Sequence, residues 1–276
     1  MTRWALLLFG LTMMAGAPAV AAPPPVANDA VDAAEAAKLA WTGARGAQIY
    51  AYDQAAWHSS DAVAPELEAL ARDGAQGWVV EAGEGTRLVV TYYGKDDGGL
   101  YALARLSMDG ARVDRKDMFA RTQREPLSAM AMRLIGAKEA ALQQAGTLAR
   151  CAKAPFNPVL LPPDVPDGPV TVYLLTPQTK SNAYPFGGHY RMEIDSAGKI
   201  LSSRPFMKSC FEAPNEKKAE VLFLTHLLDP QPTEIHVYMS LWIGKPVVVG
   251  TIDNRLMWAV NGAQITLAGK IPSAKD

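Results

Sequence analysis

Cysteine is scarce in this chain: its 276 residues hold Cys151 and Cys210 and no other. None lies near residue 20, so no lipid-anchoring site is expected there. The two do not form a CxxC pair, which removes the usual redox motif. Charge in excess is also missing, with 27 Lys and Arg against 28 Asp and Glu. A nucleic-acid surface needs a basic excess or stripe, so nucleic acid is not expected as a partner. The sequence contains no HExxH helix, no GxSxG elbow and no GKS or GKT phosphate loop, each of which would have carried a specific chemistry. Beyond residue 21 no apolar run approaches the roughly 20 residues that cross a bilayer, and no stable membrane insertion is expected.

The first 21 residues, MTRWALLLFGLTMMAGAPAVA, have the form of a secretory signal peptide. Arg3 supplies the positive start, Trp4 to Met14 the apolar core, and Ala19 and Ala21 an A-x-A cleavage signal. Removing this segment leaves 26 basic and 28 acidic residues, so the mature product remains close to neutral. A periplasmic or secreted address follows, and disulfides persist in such compartments. Cys151 and Cys210 are therefore expected to pair, closing a loop of about 60 residues that chain entropy values near 4 kcal/mol.

Composition divides the rest. Residues 22–28 are a Pro-rich tether. Residues 29–154 read as helices plus a β-meander: helix from Asp29 to Tyr52, a short helix from Glu66 to Arg72, strands at Trp78–Val80, Arg87–Tyr93 and Gly99–Ser107, then a long helix from Pro126 to Arg150. Thr42-Gly43 and Gly46 weaken the first helix. Residues 155–169 hold six prolines and read as a connector, since proline breaks helices and central strands. Residues 170–276 read as mainly β, with Ser196-Ala197-Gly198 and Asn261-Gly262 as hairpin turns. The fold class expected is α+β: Ala-rich helices packed on antiparallel sheet, the C-terminal half mainly β. A boundary near 155 would make two units, whereas a Cys151–Cys210 bond would favour one.

Candidate site residues fall in the C-terminal region. Read as a strand, Glu234–Ile243 puts Ile235, Val237, Met239, Leu241 and Ile243 on one face. Glu234, His236, Tyr238, Ser240 and Trp242 take the other. Read the same way, His189–Asp195 places His189, Arg191 and Glu193 together. If the two polar faces meet, His189, Glu193, Glu234 and His236 form a set able to hold a divalent metal and activate water. The same residues also fit a solvated sheet face with ordinary ion pairs. His226 ends an apolar run and can be functional or simply held by backbone. Tyr184, Phe186, His189, Arg191, Tyr238 and Trp242 are the candidate ligand-binding residues, with Gly187-Gly188 allowing close approach. Trp41, Trp57 and Trp78 read as core.

The function expected is that of an exported soluble protein, a non-catalytic binding or envelope-associated module whose partner is a protein or a small molecule. The alternative is a periplasmic hydrolase using the His/Glu set and a divalent metal, the only cofactor the sequence suggests.

Overall fold

Asp32 starts the first helix by accepting a hydrogen bond from the Glu35 N–H at 2.8 Å, an N-cap that satisfies one otherwise free donor. The structure, a computed structural model, describes residues 31–216 and 218–272. The segments read as signal peptide and tether lie outside the described residues. Helix α1 runs Ala33–Val63, eleven residues beyond the expected end at Tyr52. Nothing from Asp53 to Val63 breaks a helix, and the first proline, Pro65, enters a 3-10 turn, Ala64–Glu66. Helix α2, Leu67–Arg72, follows directly.

Four strands then form an antiparallel meander in chain order: β1 Ala75–Ala82, β2 Leu88–Asp96, β3 Gly99–Asp109 and β4 Arg112–Met118. Strand β4, RVDRKDM, has too little apolar alternation to be read from sequence. It lies at one edge of this sheet, and its charges suit an edge that must not pair further. Ser128 caps α3, Ala129–Ala145, accepting from the Ala131 N–H at 2.8 Å; the helix is shorter at both ends than expected.

A second antiparallel sheet has the order β5-β6-β8-β9, with β5 Asn157–Leu161, β6 Val170–Leu175, β8 Tyr190–Ile194 and β9 Ile200–Pro205. Strand β5 lies inside the Pro-rich segment read as a connector. It is an edge strand, which tolerates Pro158 because one of its sides has no ladder partner. Strands β7, Ala183–Pro185, and β10, Glu212–Pro214, make a small ribbon. The last sheet comprises β11 Leu222–His226, β12 Val247–Thr251, β13 Leu256–Asn261 and β14 Gln264–Lys270.

In that last sheet β11 and β12 pair in parallel, and a parallel pair requires a crossover connection. The crossover is α4, Glu234–Ile243, so the segment expected as a strand is a helix. Its signals were punctuation rather than period: Pro232 and Thr233 before it, Gly244 after it at φ 70°. Ile235 to Ser240 are all buried, and a helix covered on nearly every side need not keep a 3.6-residue apolar stripe. Gly46 makes part of that cover possible. A Cβ there would lie 2.4 Å from the Val237 Cβ, so α4 rests directly on the α1 backbone.

One apolar cluster joins Ile49 of α1, Leu103 of β3, Tyr173 of β6, Val237 of α4 and Trp258 of β13. A second packs Leu134 and Ile135 of α3 against Val172 and Met192. Both clusters cross residue 155. So does the Cys151–Cys210 disulfide, whose Cα atoms are 5.2 Å apart. Gly188, at φ 79°, passes so close that a Cβ would lie 2.6 Å from the Cys151 Sγ. The α+β class and the disulfide are thus as expected. Among the described residues no helix is long and apolar enough to cross a membrane.

Candidate functional site

Because Glu234 and His236 stand on a helix, the polar sheet face expected to gather them does not exist. Glu193 on β8 and Glu234 at the start of α4 instead flank a cation. The Arg191 Nη1 donates to the Glu234 Oε1 at 2.7 Å, and its Nε lies 3.6 Å from the Glu193 Oε1. The Tyr173 hydroxyl donates to the same Glu234 oxygen and the Thr171 hydroxyl to Glu193. A guanidinium between the two carboxylates takes the charge that a metal ion would need.

Each of the two histidines is bonded to backbone groups. His189 is 1 % exposed; its Nδ1 accepts from the Thr176 N–H at 3.1 Å, and its Nε2 donates to the Pro185 carbonyl at 2.8 Å. Burial lowers its pKa to about 4, so it is neutral with both nitrogens occupied. The His236 Nδ1 accepts from the Thr233 N–H at 2.9 Å. Its ring meets His226 edge to face, with centroids 4.8 Å apart. Burial, then the neighbouring His226, pushes its pKa well below the ordinary value. Among the described residues no three His, Cys, Asp or Glu side chains group as metal ligands.

The six candidate ligand-binding residues separate. Arg191 belongs to the ion network, and Phe186 is buried against Phe211. Tyr184 touches Trp242 edge-on at 5.8 Å. His189, Tyr238 and Trp242 line a cleft of about 520 Å³ between α1, α4, β1 and the ends of β5 and β6.

This cleft is built from helical and strand positions that sequence reading did not join. Asp53, Trp57 and Ser60 lie at i, i+4 and i+7 on α1, hence on one face. Tyr238 and Trp242 lie one turn apart on α4, their rings nearly parallel with centroids 6.4 Å apart. Trp78 enters from β1, Asn157 from the start of β5, and Gln178 from the turn after β6. Trp57 is 55 % exposed and Trp41 46 %, so neither is core, and Trp78 is a half-buried wall. Extending the first helix to Pro65 would have aligned Asp53 with Trp57; nothing in the sequence joined them to Trp78 or Trp242.

Asp53 is the polar centre. Its Oδ1 accepts from the Asn157 Nδ2 at 2.6 Å and its Oδ2 from the Tyr238 hydroxyl at 3.1 Å. Burial raises its pKa, and these hydrogen bonds oppose the rise. Tyr238 is pushed well above its usual value by burial and then by the Asp53 charge, so it remains a donor. The cleft serine, Ser60, bonds the Ala56 carbonyl and the Tyr92 hydroxyl rather than an imidazole. Asp53 is the single carboxylate among the lining residues.

No family model matches the chain. No curated protein or solved structure matches it either.

Such a wall can stack on a flat or apolar ligand and orient it through Asp53, Asn157 and Gln178. It lacks the nucleophile–base pair of covalent catalysis and the paired carboxylates of glycoside hydrolysis.

Proposed function

We propose that this chain is an exported, non-catalytic binding protein whose aromatic cleft takes a small organic ligand. The observation that carries the reading is the convergence of Trp57, Trp78, Tyr238 and Trp242 around one half-buried carboxylate, Asp53. Ligand sites are typically concave, about 300–1,000 Å³, largely apolar and furnished with a few placed polar groups; this cleft has each property. Trp57 supports the reading from the opposite direction. An indole left half in water is poorly used by folding alone, and an incoming ligand would cover it. The leader-like first 21 residues and the disulfide fit an oxidising compartment outside the cytoplasm.

A thermal-shift screen of a small-molecule library, run on the wild type and on Trp57→Ala, tests this function. At saturation near 100 times Kd, a ligand adds about 2.7 kcal/mol to stability, a rise of several degrees. The expected result is that ligands stabilise the wild type and lose that effect in Trp57→Ala. Ligands that stabilise both proteins equally would place binding elsewhere.

A further inference from the structure

We infer that the ligand of this cleft is an organic cation, an ammonium group seated between the Asp53 carboxylate and the aromatic faces. The inference rests on the cleft being a binding site and adds the class of ligand.

Charge is the first argument. Among the described residues no Lys or Arg forms an ion pair with Asp53, and none lines the cleft. His189, the remaining titratable wall residue besides Tyr238, is neutral through burial. The lining residues therefore carry one carboxylate and no Lys or Arg, so an anionic ligand would face the Asp53 charge with no lining cation to offset it. Asp53 is also held in place by neutral donors: Asn157 on Oδ1, Tyr238 on Oδ2, and Gln54 beside them. A carboxylate has room for further donors on each oxygen, and an ammonium would supply both the donor and the missing charge.

The second argument is the surrounding rings. Aromatic faces carry negative quadrupole potential and attract cations, most strongly when water is excluded. Trp78 already shows this preference within the fold. The Lys138 Nζ lies 5.2 Å from its ring centroid and donates to its backbone carbonyl at 3.0 Å. A neutral sugar could use the same stacking surfaces, but it would leave the Asp53 charge without a counter-ion in a half-buried site, at a desolvation cost.

Matched ligand pairs that differ in charge and little in shape provide the test: choline against 3,3-dimethylbutan-1-ol, and phenethylamine, protonated at neutral pH, against 2-phenylethanol, with maltose as an uncharged stacking ligand. Affinities would be measured by calorimetry on the full-length mature protein, on Asp53→Asn and on Trp57→Ala. The expected result is that the ammonium member binds at least about tenfold tighter than its neutral partner. That preference should shrink to within about twofold in Asp53→Asn. Neutral partners or maltose binding as tightly as the ammonium compounds, with loss in Trp57→Ala, would overturn the cation while the cleft reading stands. A preference undiminished in a folded Asp53→Asn would overturn the role of Asp53. Absence of Trp57-dependent binding by either ammonium compound would overturn the cation, and the library screen on wild type and Trp57→Ala would decide the cleft reading separately. Should Asp53→Asn fail to fold, the wild-type pairs alone decide the ligand's charge.

Discussion

His189 shows how a side chain with apparent catalytic potential serves the fold. With both ring nitrogens bonded to backbone groups and its pKa held near 4 by burial, it stays neutral in the native state. The unfolded chain takes up a proton near pH 6.5, whereas the folded chain resists doing so. Its stabilising effect is therefore complete above about pH 6.5 and declines as pH falls toward 4. At 1.36 kcal/mol per pH unit the loss amounts to about 3 kcal/mol, and His236, depressed for the same first reason, acts in the same direction. Urea unfolding at pH 7 and pH 4.5 should show the lower midpoint at 4.5; equal midpoints would mean that these rings are not buried neutral. Tyr238 and Trp242 were legible as sharing one face even under the wrong secondary structure, since residues four apart meet on a helix as they do on a strand face. Asp53 and Trp57 were not, because a Trp in an Ala-rich segment looks like core until the opposing wall is in place.

At the level of elements, α1 and α4 position the cleft, and Gly46 sets their separation. Alanine is the better helix former by about 1 kcal/mol, so Gly46→Ala would be stabilising in an isolated helix. Here its Cβ would fall 2.4 Å from the Val237 Cβ and 2.6 Å from the Glu234 carbonyl, and overpacking of this kind costs about 1–3 kcal/mol. Chemical denaturation should find Gly46→Ala less stable than the wild type and its Trp57-dependent binding weakened as α4 shifts. A more stable variant with intact binding would refute the close packing. Strands β1 to β3 and the hairpins at Gly198 and Gly262 were readable because period-2 alternation and positive-φ turn residues coincide there. Strand β4 was hidden by its charges. The buried helix α4 was hidden by a chance alternation of apolar and polar residues, and the need for a crossover between parallel strands is visible only once the pairing is known.

Across the whole molecule, the apolar clusters and the disulfide both bridge the N- and C-terminal halves. Cys151→Ser with Cys210→Ser should lower unfolding free energy by up to about 4 kcal/mol, the chain-entropy value for a loop of this length. It should also keep a single cooperative transition, because the core alone still joins the halves. Two separated transitions in denaturant would contradict that shared core. The α+β class was legible from composition and turns, while the cleft depends on α1, β1, β5, β6 and α4 meeting in space, information no local pattern carries.

The most direct test of the cleft as the binding site is fluorine NMR of protein labelled with 5-fluorotryptophan, titrated with whichever compound the thermal-shift screen identifies. Trp57, Trp78 and Trp242 line the cleft, Trp41 is exposed on the N-terminal part of α1, and Trp258 is fully buried. The account predicts that the first three resonances shift together and saturably while those of Trp41 and Trp258 stay in place. Saturable shifts confined to Trp41 or Trp258, with the cleft tryptophans unmoved, would contradict it.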